Sequence, residues 1–178
     1  ILARNLSIGL GSGQFDLVTH VCGSMAALCE GEVLQSECAE KHTMTRQAYL
    51  DIIYKKTACL IAASGRFGAT FSGADHEQID RLARLGGIVG MAFQISDDII
   101  DIESDADESG KLPGTDLREG VHTLPVLYAL KETGAQADRL RDLLAGEMTD
   151  DAVAEALTLL RASSGIRMAK QMVRSYAE

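Results

Sequence analysis

The chain holds no proline before Pro113, and its only other proline is Pro125. Proline removes a backbone donor and clashes with the preceding helical turn, so residues 1–112 contain nothing that must break a helix. Period-two alternation is absent there, and apolar residues recur at helical spacing instead. Leu17, Val21, Ala27, Leu28 and Leu34 predict a helix from about Phe15 into the late thirties. Thr43-Met44-Thr45 supplies a cap, and a second apolar run follows from Tyr49 to Phe71. Asp75, after the Ser72-Gly73-Ala74 loop, is placed to cap a third helix over roughly His76 to Glu103. The segment from Ser104 to Gly120 reads as an ordered but irregular connection. Beyond it Thr123 caps a helix with Pro125 in its first turn. Shorter amphipathic helices are expected over residues 136–145, 149–162 and 166–176. The fold class is therefore all-α, a single domain over residues 1–178 whose long helices pack side by side.

Charge and length narrow the partners. Seventeen Lys and Arg stand against 26 Asp and Glu, a net charge of -9. That argues against nucleic acid as a main partner. It leaves small phosphorylated ligands open, because a bound cation inverts the local sign of charge. No apolar run approaches the ~20 residues that cross a bilayer. Cys22, Cys29, Cys38 and Cys59 make no C-x-x-C pair and have no His at zinc-site spacing, so they read as reduced core thiols in a cytoplasmic protein. The chain opens on Ile1-Leu2-Ala3-Arg4, with neither an initiator Met nor a signal-peptide layout, and reads as a fragment.

The chemistry gathers on the third helix. Residues 85–102 are apolar on nearly every face, which predicts burial. Gln94, Asp97, Asp98 and Asp101 break that pattern at i, i+3, i+4 and i+7, along a single stripe. Three carboxylates on a buried stripe need compensation, since an unpaired buried charge costs several kcal/mol. No Lys or Arg lies between Arg84 and Lys111, which leaves a hard divalent cation; Mg²⁺ suits carboxylate oxygens, retained waters and substrate phosphates. A solvated acidic helix end is the competing reading. A calcium loop starting at Asp101 fails, with Ala106 where it needs Gly and Leu112 where it needs Glu. Lys55-Lys56-Thr57 lies within the second apolar run; two adjacent lysines cannot face one way, so one is expected to turn inward, suited to diphosphate oxygens, the alternative being a snorkelling surface Lys. Lys111 to Gly120 could fold back over a metal-bound anion.

These residues resemble the trans-prenyltransferases, the polyprenyl synthetase family. Gly90-Met91-Ala92-Phe93-Gln94-Ile95-Ser96-Asp97-Asp98-Ile99-Ile100-Asp101 is similar to that family's second aspartate-rich motif, D-D-x-x-D, with its preceding F-Q pair. Gly110-Lys111, Gly114 to Gly120 and Thr123-Leu124-Pro125 continue the likeness. Upstream, Glu30 to Gln35 and Tyr49 to Ala58 fit in the same order.

The resemblance implies an isoprenoid-synthase-type helical bundle around a central cavity, of which this chain is the C-terminal part without the N-terminal helices. It implies condensation of isopentenyl diphosphate with an allylic diphosphate, by a homodimer, toward medium- or long-chain products for quinone side chains. Asp97, Asp98 and Asp101 would hold Mg²⁺ against the allylic diphosphate, with Asp97 the direct ligand. Lys56 and Lys111 would contact diphosphate oxygens, Thr57 and Gln94 would help position them, and Asp116 would support the metal cluster. Two departures stand out. Gly120 is followed by Val121-His122 where the family has Gly-Lys before Thr-Leu-Pro, so that contact is missing or replaced by His122. The family's first D-D-x-x-D and its G-K-R-x-R-P segment do not occur in these residues, so the chain alone is expected to be inactive. The alternatives are a non-catalytic regulatory subunit of a heteromeric synthase, a terpene cyclase, and a helical interaction module.

Overall fold

A computed structural model describes residues 15–104 and 112–178, and among these it contains helices and no strands. Helix α1 spans Phe15–Glu40. Helix α2 (Arg46–Ile53) runs through a five-residue π-helical turn (Tyr54–Ala58) into α3 (Cys59–Phe71), so that the three form one rod. Helix α4 covers His76–Glu103. Then come α5 (Thr115–Arg118), α6 (Leu124–Ala129), α7 (Ala135–Leu144), α8 (Asp150–Ala162) and α9 (Gly165–Ser175).

The starts of the two central elements follow from side-chain chemistry. Thr45 Oγ1 accepts from the Ala48 N–H, and Asp75 Oδ1 accepts from the Gln78 N–H while the Gln78 side chain accepts from the Asp75 N–H. Such caps satisfy donors that the first turn leaves orphaned, each worth about 1 kcal/mol.

Helix α4 packs in two ways along its length. Toward its N-terminus it meets α3 backbone to backbone. A Cβ on Gly86 would lie 2.6 Å from the Ile61 carbonyl oxygen, and one on Gly65 2.6 Å from that of Leu82. Toward its C-terminus Ile95, Ile99 and Ile102 are buried with Leu117, Leu124, Val126, Leu140 and Leu160 of the short helices. Full burial of such side chains contributes roughly 2 kcal/mol each. Arg161 of α8 then donates to the carbonyls of Ile102 (2.8 Å) and Ser104 (3.0 Å), tying down the end of α4.

Four sequence expectations need correction. Helix α4 is not buried all round: Leu85, Val89, Phe93 and Ile100 are exposed, because no described helix packs on that stripe. Cys22 and Cys29 are exposed free thiols rather than core residues; only Cys38 is buried, with Cys59 half-buried. The second apolar run is interrupted by the π turn, which no periodicity announced. The connection after Ser104 contains α5, entered through Gly114 in the left-handed region at φ 77°. Leu2-Ala3-Arg4, Gly110 and Lys111 lie outside the described residues.

Candidate active site

Helix α4 carries one long face with two characters. Asp80, Ala83, Arg84, Gly87, Ile88 and Met91 line an open groove of about 1040 Å³. Its other wall comes from α1 and the α2–α3 rod, largely as small side chains such as Gly23, Ala27, Ala62 and Ala63, with Tyr54 among them. In the same helical register Gln94, Asp98 and Asp101 follow Gly87 and Met91 at steps of three and four, with Asp97 beside them. A largely apolar groove thus leads along one helix to an acidic end.

At that end hydrogen bonds join two elements. Thr57 Oγ1 in the π turn donates to Gln94 Oε1 at 2.7 Å, and Gln94 Nε2 donates to Asp98 Oδ1 at 2.9 Å. The Tyr49 hydroxyl donates to Asp98 Oδ2 at 2.6 Å. Both oxygens of Asp98 are therefore engaged, and its side chain is buried. Asp101 holds the next segment: its Oδ1 accepts from the Thr115 N–H at 3.2 Å and its Oδ2 from the Asp116 N–H at 3.3 Å. Asp97 is exposed, and its side chain makes no hydrogen bond or ion pair among the described residues.

Burial shifts the protonation of this cluster. Desolvation pushes Asp98 up to about 6, against the lowering effect of the Tyr49 and Gln94 hydrogen bonds. Desolvation again, then the charges of Asp98 and Asp101, pushes Asp116 up to about 7. Burial, followed by the neighbouring Asp98 charge, raises Tyr49 far above its ordinary value, so it stays a hydrogen-bond donor. A cation beside these carboxyls would favour their ionised forms and offset the desolvation. Burial, then His42, lowers the His122 pKa and so disfavours the charged imidazolium at this position.

The adjacent lysines do not part as a regular helix would require. Lys55 and Lys56 both lean on α1: Lys55 Nζ lies 3.4 Å from Glu30, and Lys56 Nζ lies 3.0 Å from both Glu32 and Gln35. The π turn widens the spacing at this point. Gly31 makes the fit possible, since a Cβ there would sit 2.9 Å from Lys56 Cγ. The segment Glu30 to Gln35 therefore cradles the two lysines.

The match to known proteins accords with this arrangement. The polyprenyl synthetase family model matches residues 1–160. The chain belongs to the polyprenyl synthetase family. It is 53% identical over 163 residues to a nonaprenyl diphosphate synthase of Mycobacterium tuberculosis, covering 91% of this chain and 49% of that protein. A dimethylallyltranstransferase of the same organism is 51% identical over 157 residues, covering 88% and 47%. A geranylgeranyl pyrophosphate synthase of Corynebacterium glutamicum, solved with calcium and isoprenyl diphosphate, superposes with a TM-score of 0.83 at 42% identity, covering 94% and 52%. The chain spans about half the length of these relatives.

In this member of the polyprenyl synthetase family hydrogen bonds join Thr57, Gln94 and Asp98, with Asp97 and Asp101 on the same helix; Lys56 stands on the same π turn but is turned to α1. Among the described residues no three acidic, His or Cys side chains converge on one point. A dedicated metal cage is thus absent there. Mg²⁺ does not need one, because it keeps several waters and is held by one or two carboxylates together with substrate phosphates. Asp97 has the free oxygens for that role, with Asp98 and Asp101 behind it, so the donor set fits the ion. Two contributions escaped the sequence: Tyr49, 49 residues from Asp98, and the Glu32–Gln35 pair that holds Lys56. Tyr49 lay inside a segment already matched by motif, which was the available signal.

Proposed function

We propose that the whole protein is an Mg²⁺-dependent trans-prenyltransferase that condenses isopentenyl diphosphate with an allylic diphosphate. The carrying observation is the face of α4 on which Gly87, Ile88 and Met91, in the groove beyond Asp80 and Arg84, lead to Asp97, Asp98 and Asp101. It matches a substrate with a hydrocarbon tail and a polyanionic head.

The residues divide the work accordingly. Lys56 and Lys111 would bind diphosphate oxygens, and Thr57 and Gln94 would orient the head group against the stripe. Mg²⁺ held at Asp97 would supply positive charge against the departing diphosphate. The C–O bond of the allylic substrate ionises, the isopentenyl double bond attacks the cation, and the proton lost passes to the released diphosphate. Burial of the hydrocarbon end in an apolar cavity of the whole protein would keep water from the cation. The likeness to the nonaprenyl enzyme supports a medium or long product, of the kind used in quinone side chains, and the family likeness supports a homodimer working in the cytoplasm. No described helix is long and apolar enough to cross a membrane.

Incubation of the whole protein with labelled isopentenyl diphosphate, an allylic diphosphate and Mg²⁺ should give chain-extended products. Asp97→Ala should lower turnover by orders of magnitude; near-normal turnover in that variant would remove the assigned site.

A further inference from the structure

Tyr49 is 2% exposed, and its hydroxyl reaches Asp98 at 2.6 Å. Eight positions later on the same rod, Thr57 reaches Gln94 at 2.7 Å. In a regular α-helix, residues eight apart point about 80° away from each other, at 3.6 residues per turn. A π turn takes up about one additional residue. The turn at Tyr54–Ala58 lets the eight-residue separation behave like seven, which returns two side chains to one face. Both hydroxyls therefore stand opposite α4, which answers them with Gln94 and Asp98, one turn apart.

A tyrosine O–H and the Gln94 amide occupy opposite oxygens of Asp98, so the carboxylate plane cannot swing. Asp98 accepts from both donors, so Gln94 presents its NH₂ group to it, and this turns the Gln94 oxygen toward Thr57. We propose that Tyr49 is a positioning residue of this site: acting through Asp98, its hydroxyl fixes the rotation of the acidic stripe and the Gln94 amide, so that Asp97 and Thr57 face one metal–diphosphate ligand. This rests on the functional reading above.

The test uses the whole protein as wild type, Tyr49→Phe, Thr57→Val and the double variant. Mn²⁺ binding in the presence of inorganic diphosphate is followed by electron paramagnetic resonance, beside steady-state turnover and thermal unfolding. Tyr49→Phe should weaken Mn²⁺ binding about tenfold and raise the half-saturating Mg²⁺ concentration, with the KM for isopentenyl diphosphate unchanged. The double variant should lose less than the product of the two single losses, because both break one connected chain. A purely structural tyrosine would lower Tm and the folded fraction but leave Mn²⁺ affinity at the wild-type value. That result, or losses that multiply, overturns the proposal. If Tyr49→Phe does not fold, Thr57→Val is read alone: weaker Mn²⁺ binding supports the connected chain and unchanged binding overturns it. A wild type that binds no Mn²⁺ with diphosphate refutes the functional reading itself and the role of Tyr49 with it; normal wild-type binding with an unaltered variant refutes only Tyr49.

Discussion

Gly90 is the position where one added methyl group should do the most damage. A Cβ there would sit 2.5 Å from Ala58 Cα and 2.9 Å from Ala58 Cβ, where ordinary contact begins at 3.4 Å. The obstructing atoms are backbone and a methyl group with no rotamer to escape into, so α4 must withdraw from the π turn by the better part of an ångström. The Thr57–Gln94 bond, 2.7 Å long, spans that same gap, one turn further along α4. Withdrawal would stretch it to the edge of hydrogen bonding. Replacing a helical Gly by Ala otherwise stabilises by about 1 kcal/mol, while overpacking costs about 1–3 kcal/mol. Gly90→Ala should therefore be destabilising by up to about 2 kcal/mol, and turnover of the whole protein should fall further than stability does. The control is Gly68→Ala on α3, where nothing lies within 4 Å of the new methyl, so stability should hold or rise. Thermal unfolding of the two variants in parallel reads the difference in sign. A Gly90→Ala protein as stable as Gly68→Ala, with normal turnover, would refute the close approach of α4 to the rod.

Other outcomes follow from the same geometry. Asp98 and Asp116 have folded-state values of about 6 and about 7, above the ordinary aspartate value near 4. The native state thus keeps protons that the unfolded chain releases, so without metal Tm should fall as pH rises from about 4 to about 7 and level off above; Asp116→Asn should flatten that slope, and an unchanged slope counts against the shift. Gly114→Ala should destabilise by about 1–3 kcal/mol, since φ is 77° and the methyl would lie 2.8 Å from Val153 Cγ1; urea unfolding checks this. The 178-residue chain expressed alone should give no condensation product in the labelled-substrate assay, since it carries one aspartate-rich motif where the family it resembles has two; turnover by the pure chain would overturn that expectation.

What could be read from the sequence was whatever repeats locally. Asp75 stands before an apolar-periodic run, so the start of α4 was legible to the residue, and the stripe Gln94–Asp97–Asp98–Asp101 followed from helical spacing alone. The exposure of Phe93 and Val89 was not, because hydrophobicity reports what a helix can bury and says nothing about which neighbour covers it. The π turn leaves no mark in composition, yet it decides where Lys55, Lys56 and Thr57 point. Tyr49 and Asp98 meet only because two long helices pack side by side, a contact that no window of neighbouring residues encodes.

Asp101 accepts the backbone hydrogens of Thr115 and Asp116, and so serves two masters. Whatever draws its charge away from those two amides also loosens the start of α5, and whatever returns it re-forms that turn. A cation bound at the acidic end would compete with those amides for Asp101, so the exchange of the Thr115 and Asp116 amide protons should report whether the site is filled.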